Sequence, residues 1–261
     1  MEPAYQNDLP KLCALETYVR DVAKAQTFLA THFGLEFQTP GVFVVDDIAW
    51  RLLPGAQPCG THGPHGVLPA FAIDDFGAAR GYFRERDIPI VFEEMLPGLN
   101  LLIFLDPDDT PIELVQTTDP REWDIRQRRA LKTKHRQDEA PAGPLRLGAL
   151  SELTIYTHDI TASGRFYRDV VGLPAGLSFF GHIHLVAENL PVVLRGTNWQ
   201  CKAPHSLHGS EPVFSVPDLR SFCDHLVSAG HSPDSVSSHR ATFTDPVGLR
   251  LHFVERRGSV T

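Results

Sequence analysis

YVRDVAKAQTFLATHFGLEF, Tyr18 to Phe37, comes back 138 residues later as YTHDITASGRFYRDVVGLPA, Tyr156 to Ala175. Tyr18, Asp21, Phe28, Gly34 and Leu35 stand opposite Tyr156, Asp159, Phe166, Gly172 and Leu173. Two further pairs follow in the same order. PAFAIDDF (Pro69 to Phe76) is matched by PVFSVPDL (Pro212 to Leu219) at an offset of 143, and DPDDTPIEL from Asp106 by DPVGLRLHF from Asp245 at an offset of 139. Three ordered matches at nearly one spacing mark an internal duplication.

Each half divides again. ALSELTIYTHDI alternates like a half-buried strand, and Asp159 is a natural N-cap for the helix ITASGRFYRDVV, which stops at Gly172. The strand EPVFSV, the helix DLRSFCDHLVSAG ending at Gly230 and the strands of ATFTDPVGLRLHFVE repeat the plan. Four modules of strand, helix and short strands result, two per half. Alternation along the strands suits an antiparallel or mixed sheet with helices on one face, an α+β arrangement. The expected division is a domain over 10–118, a linker over 119–146 and a second domain over 147–257. The linker has a basic, helix-favouring middle from Arg121 to Arg136 followed by Ala-Pro-Ala-Gly-Pro. It reads as a helix plus hinge, with docking to an acidic partner as the other reading.

Composition narrows the class. The 261 residues are 42% hydrophobic and 21% charged, with a net charge of -8, which argues against a broad nucleic-acid surface. No apolar run approaches the ~20 residues a membrane helix needs, and MEPAYQNDLPKL lacks a signal peptide's basic and apolar regions. Cys13, Cys59, Cys201 and Cys223 form no C-x-x-C pair and read as reduced thiols of a cytoplasmic protein. There is no P-loop, dinucleotide fingerprint, G-x-S-x-G or H-E-x-x-H.

The repeated pattern YV.D...A..FL...FGL, F.V.DL and DP.G..L.F resembles the vicinal oxygen chelate superfamily, the glyoxalase, bleomycin-resistance and extradiol-dioxygenase group. The resemblance runs over roughly Leu12 to Gln116 and Leu150 to Glu255. It implies four βαβββ modules in two tandem glyoxalase-like domains, each a cupped mixed sheet with helices on the outer face. It also implies ligands for a divalent metal on the first strand of a module, seven residues before the helix-start Asp, and on the last strand. Carried over, these positions are Glu152, Glu211 and His252 in the second half, and Ala14, Leu68 and Glu113 in the first. The second half is then the metal-bearing one, with the first non-catalytic. Glu16, on the same strand face as Ala14, offers a weaker site with Glu113.

Strand parity agrees with the second-half trio. If Leu153, Ile155, Phe214, Val216, Leu251 and Phe253 pack against helices, then Glu152, Glu211 and His252 face the concavity. Two carboxylates brought together out of water need a cation or a proton between them. Two carboxylates and one imidazole accept Fe, Mn, Zn or Ni, and this set is one histidine short of the usual oxygen-activating iron triad. Glu152 is also the residue able to act as base, His184 (with His182) as acid or base, and Tyr156 and Arg250 to orient an anionic substrate. His205 and His208 read as a rim over the site, His62 and His65 as the matching connector, and Trp199 as part of the mouth. The expected protein is a monomer or homodimer acting on a small oxygen-rich substrate, by dioxygenase or by lyase or isomerase chemistry. The alternative is a metal-free protein that sequesters a small molecule.

Overall fold

The computed structural model describes residues 9–55, 66–96, 98–117, 145, 147–176, 182–196 and 210–256. His62, His65, Trp199, His205, His208, Cys59, Cys201 and the basic segment Arg121 to Arg136 lie outside the described residues. The first module is β1 (Lys11–Val19), α1 (Val22–Phe33), β2 (Phe37–Thr39), β3 (Val42–Val45) and β4 (Ile48–Pro54). The second is β5 (Gly66–Ala72), α2 (Phe76–Glu85), β6 (Ile90–Leu96), β7 (Leu99–Leu105) and β8 (Pro111–Thr117). The third has β9 (Leu150–Thr157), α3 (Ile160–Arg165) running into a π-helical turn over Phe166–Val170, β10 (Ile183–Val186) and β11 (Pro191–Gly196). The fourth is β12 (Ser210–Val216), α4 (Leu219–Ser228), β13 (Ser235–Val236), β14 (Arg240–Thr244) and β15 (Arg250–Glu255).

The same local chemistry starts every helix. Asp21, Asp75, Asp159 and Asp218 each accept the backbone N–H three residues on, from Lys24, Ala78, Ala162 and Ser221. Gly34 ends α1 in the left-handed region at φ 64°, and Gly172 closes the third module's helical segment at φ 85°. Asp106 and Asp245 each fold a tight turn, one carboxylate oxygen accepting two backbone N–H groups two and four residues ahead.

The strands form two mixed sheets, and their order decides where the site lies. One is β13-β14-β15-β12-β1-β4-β3-β2; the other is β10-β11-β9-β5-β8-β7-β6. Each module's first and last strands run parallel, while β1 meets β12, and β5 meets β9, antiparallel. The boundaries 10–118 and 147–257 mark the repeat, but sheet pairing runs across it. The first module joins the fourth, and the second joins the third. A parallel module presents the same free strand edge to a partner in its own half or the other, so the repeat alone does not choose.

One large apolar cluster serves both sheets and all four helices described. Leu15, Leu29, Phe43, Trp50, Phe71, Phe104, Leu153, Phe214 and Phe253 belong to it, and Trp50 of one sheet stacks on Phe71 of the other with ring centroids 5.5 Å apart. Bulges in β1 near Leu12–Ala14 and at the Ala70/Phe71 step, where β5 faces β9, reset the alternation. Beyond the bulge Leu15, Thr17 and Val19 point to the core, which leaves Ala14, Glu16 and Tyr18 on the opposite face.

Candidate metal centre

Five adjacent strands build a charged floor on that opposite face. Glu16 of β1 stands directly opposite Glu211 of β12, and Arg51 of β4 stands beside Glu16 on its other flank. His252 of β15 pairs with Val213 of β12, and Thr242 of β14 pairs with His252. Glu16, Glu211 and His252 each present one ligand atom within 4.8 Å of the others. Their exposures are 4%, 4% and 2%, so two carboxylates and an imidazole are taken out of water together.

Neighbours hold each group. His252 Nε2 lies 2.6 Å from Glu211 Oε2, and His252 Nδ1 lies 3.0 Å from the Thr242 hydroxyl, which fixes the ring plane. Arg240 donates to both oxygens of Glu16 at 2.8 and 2.6 Å, Arg51 donates to Glu16 Oε1 at 3.1 Å, and Arg250 Nη1 lies 3.4 Å from Glu211 Oε1. Burial alone would raise the Glu16 carboxyl; the Arg240 hydrogen bonds and charge, the charge of His252 and the Arg51 bond outweigh it, so Glu16 titrates below its ordinary value. Tyr18, on the same strand face, is pushed above its ordinary value by burial and then by the charges of Glu211 and Glu16, so its hydroxyl stays a donor.

This trio differs from the one read off the sequence. Glu211, His252 and Arg250 come together as expected. Glu152, Tyr156 and His184 are in the other sheet, on β9 and β10. Glu152 is fully buried there and accepts from Arg195 Nη2 at 2.6 Å. Tyr156 is packed with Leu68 and Ile103, and His184 is half-buried opposite Val193. The parity of each strand was read correctly; what moved Glu152 away is the cross-half pairing, which places β1 rather than β9 beside β12. Glu16 takes its place, and Glu113, its expected partner, lies in the other sheet. The available signal was Glu16 on the cup face of β1, two residues from the aligned ligand position.

No family model and no curated protein matches the chain. Solved structures do. A provisionally assigned dioxygenase of Bacillus subtilis superposes on 96% of this chain and 86% of its own, with a TM-score of 0.64 at 12% identity. Glyoxalase I of Zea mays covers 96% of this chain and 94% of its own, with a TM-score of 0.60 at 15% identity. The fold is that of the vicinal oxygen chelate superfamily. At these identities the likeness speaks for architecture alone, and the chemistry must come from the residues. In this vicinal oxygen chelate fold the two cups carry different chemistry. One holds Glu16, Glu211 and His252 under three arginines. The other holds Glu113 and Glu152 around a buried arginine.

Proposed function

We propose that Glu16, Glu211 and His252 hold a divalent metal ion and that the protein is an enzyme acting on a small, oxygen-rich, anionic substrate in this cup. The observation that carries the reading is the direct cross-strand opposition of two buried carboxylates beside a buried imidazole, all within ligand reach of one another. The donor set fits Mn, Fe, Zn or Ni, with Thr242 holding the imidazole from behind as an outer partner of a metal-bound histidine would. A bound ion would supply Lewis acidity to a chelated carbonyl or hydroxyl.

The chain's own residues do the rest. Arg51, Arg240 and Arg250, each with its side chain about a third or more exposed, ring the buried trio. Once a carboxylate turns to a cation, the guanidinium it releases is available to a substrate carboxylate or phosphate. Tyr18 donates a hydrogen bond to the same substrate. A carboxylate of Glu16 or Glu211 accepts the proton removed beside a carbonyl, which favours lyase or isomerase chemistry over oxygen activation.

One observation favours a second reading, a metal-free protein that sequesters an anionic small molecule. Glu16 is already satisfied by a bidentate arginine and a second arginine. Exchange of the carbon-bound proton of 2-oxo and 2-hydroxy acids, followed by NMR in deuterated buffer with Mn, Ni, Zn or Fe(II), separates the two. The enzyme reading expects metal-dependent exchange that Glu211→Gln abolishes. Stoichiometric ligand binding without exchange under any metal would favour the binding protein.

A further inference from the structure

The second cup contains a cation of its own. Glu113 and Glu152 are both fully buried, and Arg195 Nη2 lies 3.2 Å from Glu113 Oε1 and 2.6 Å from Glu152 Oε1. The repeat shows what this replaces. Glu113 is the counterpart of His252, 139 positions earlier, and the registers agree: Glu113 pairs with Ala70 of β5 as His252 pairs with Val213 of β12. Glu152 lies one cup-facing position from Thr154, the counterpart of Glu16. Thus the second cup keeps a pair of carboxylates on the ligand-bearing face.

Arg195 is buried to 3% exposure, and its Nε and Nη1 have no hydrogen-bond partner among the described residues. Burial disfavours its charge, yet Glu113, Tyr156 and Glu152 outweigh burial and keep it a cation. His182 beside it is driven the other way: burial, then the charges of Arg195 and His184, lower it to about 4, so near neutral pH it is an uncharged imidazole. A small space of about 10 Å³, room for about one water, lies among Tyr156, His182, Arg195, Glu94 and Leu101.

We propose that Arg195 is the resident cation of this cup, and that it pre-empts divalent-metal binding by the buried carboxylates of Glu113 and Glu152. The second cup then refuses metal while the arginine is present and accepts it once the arginine is gone. The guanidinium holds two carboxylates whose mutual repulsion would otherwise open the junction of β9, β5 and β8.

The test uses the full chain carrying Glu16→Gln, Glu211→Gln and His252→Ala, so that the first cup contributes no ligands and the outcome is independent of the function proposed above. In this background Mn(II), Ni(II) and Zn(II) uptake is measured by equilibrium dialysis with elemental analysis, alone and with Arg195→Ala or Arg195→Lys added. The expected result is no metal for the background and for Arg195→Lys, and one equivalent for Arg195→Ala that disappears with Glu152→Gln. Arg195→Ala that is unfolded in chelator and folds on adding metal, by circular dichroism, also supports the proposal. Metal bound with Arg195 in place would overturn it. So would Arg195→Ala that takes up none, whether it stays folded or is not rescued by the ion.

Discussion

Asp106 accepts the N–H groups of Asp108 and Thr110 on one oxygen and is only 5% exposed. Burial raises its carboxyl from 3.8 to about 6, with the two backbone hydrogen bonds opposing. A raised folded value means that the stability it contributes is complete below about pH 4 and is lost as pH rises through about 6. Asp106→Asn keeps the acceptor and removes the titration. Relative to wild type the variant should gain about 1–3 kcal/mol between pH 3.5 and pH 7, measured by chemical denaturation across that range; a pH-independent difference would refute the assignment. Glu152 contributes through its buried ion pair with Arg195. Glu152→Ala leaves Arg195 buried beside Glu113 alone, and should cost about 3–5 kcal/mol in urea unfolding. A loss under 1 kcal/mol would mean that the buried pair is relaxed by something other than its geometry.

At the scale of elements, the Asp caps and the turn acids are why the four modules could be read before any coordinates. Each cap or turn bond to a backbone N–H is local, its donor within four residues, so the sequence carries it; Asp245 adds a distant partner, the Tyr167 hydroxyl. Asp218→Ala, which removes bonds to the Ser221 N–H and hydroxyl, should cost about 1 kcal/mol without disturbing the sheets. Gly148 is a different device, set by a neighbour far away in the chain. A Cβ there would lie 2.7 Å from the Ala72 carbonyl oxygen, a backbone atom that moves only if β5 or the entry to β9 moves. Gly148→Ala should therefore destabilise by about 1–3 kcal/mol, and more than the equally tight Gly164→Ala, whose Cβ meets only the end of the Ile183 side chain. Thermal unfolding of the two variants side by side checks the order. Strand parity was legible for the same reason as the caps, because alternation is local. Glu211, Glu152 and His252 were all assigned to the correct face.

At the scale of the whole molecule, the pairing of modules was not legible. Whether β12 meets β1 or β9 depends on contacts nearly two hundred residues apart, such as Thr17 with Ser210 and Leu12 with Asn189. That one choice exchanged Glu16 for Glu152 in the site. It also makes the halves interdependent, since each sheet takes one module from each half. Co-produced fragments 1–117 and 147–261 should purify as a one-to-one complex, each alone being unfolded or self-associated. Two separately folded monomers would contradict it. The central claim is tested most directly by electron paramagnetic resonance of Mn(II) titrated into the chain, beside Glu16→Gln, His252→Ala and Glu152→Gln. One bound ion is expected in wild type and in Glu152→Gln, and none in Glu16→Gln or His252→Ala. Binding that survives loss of Glu16 and His252, or that fails in wild type, would contradict it.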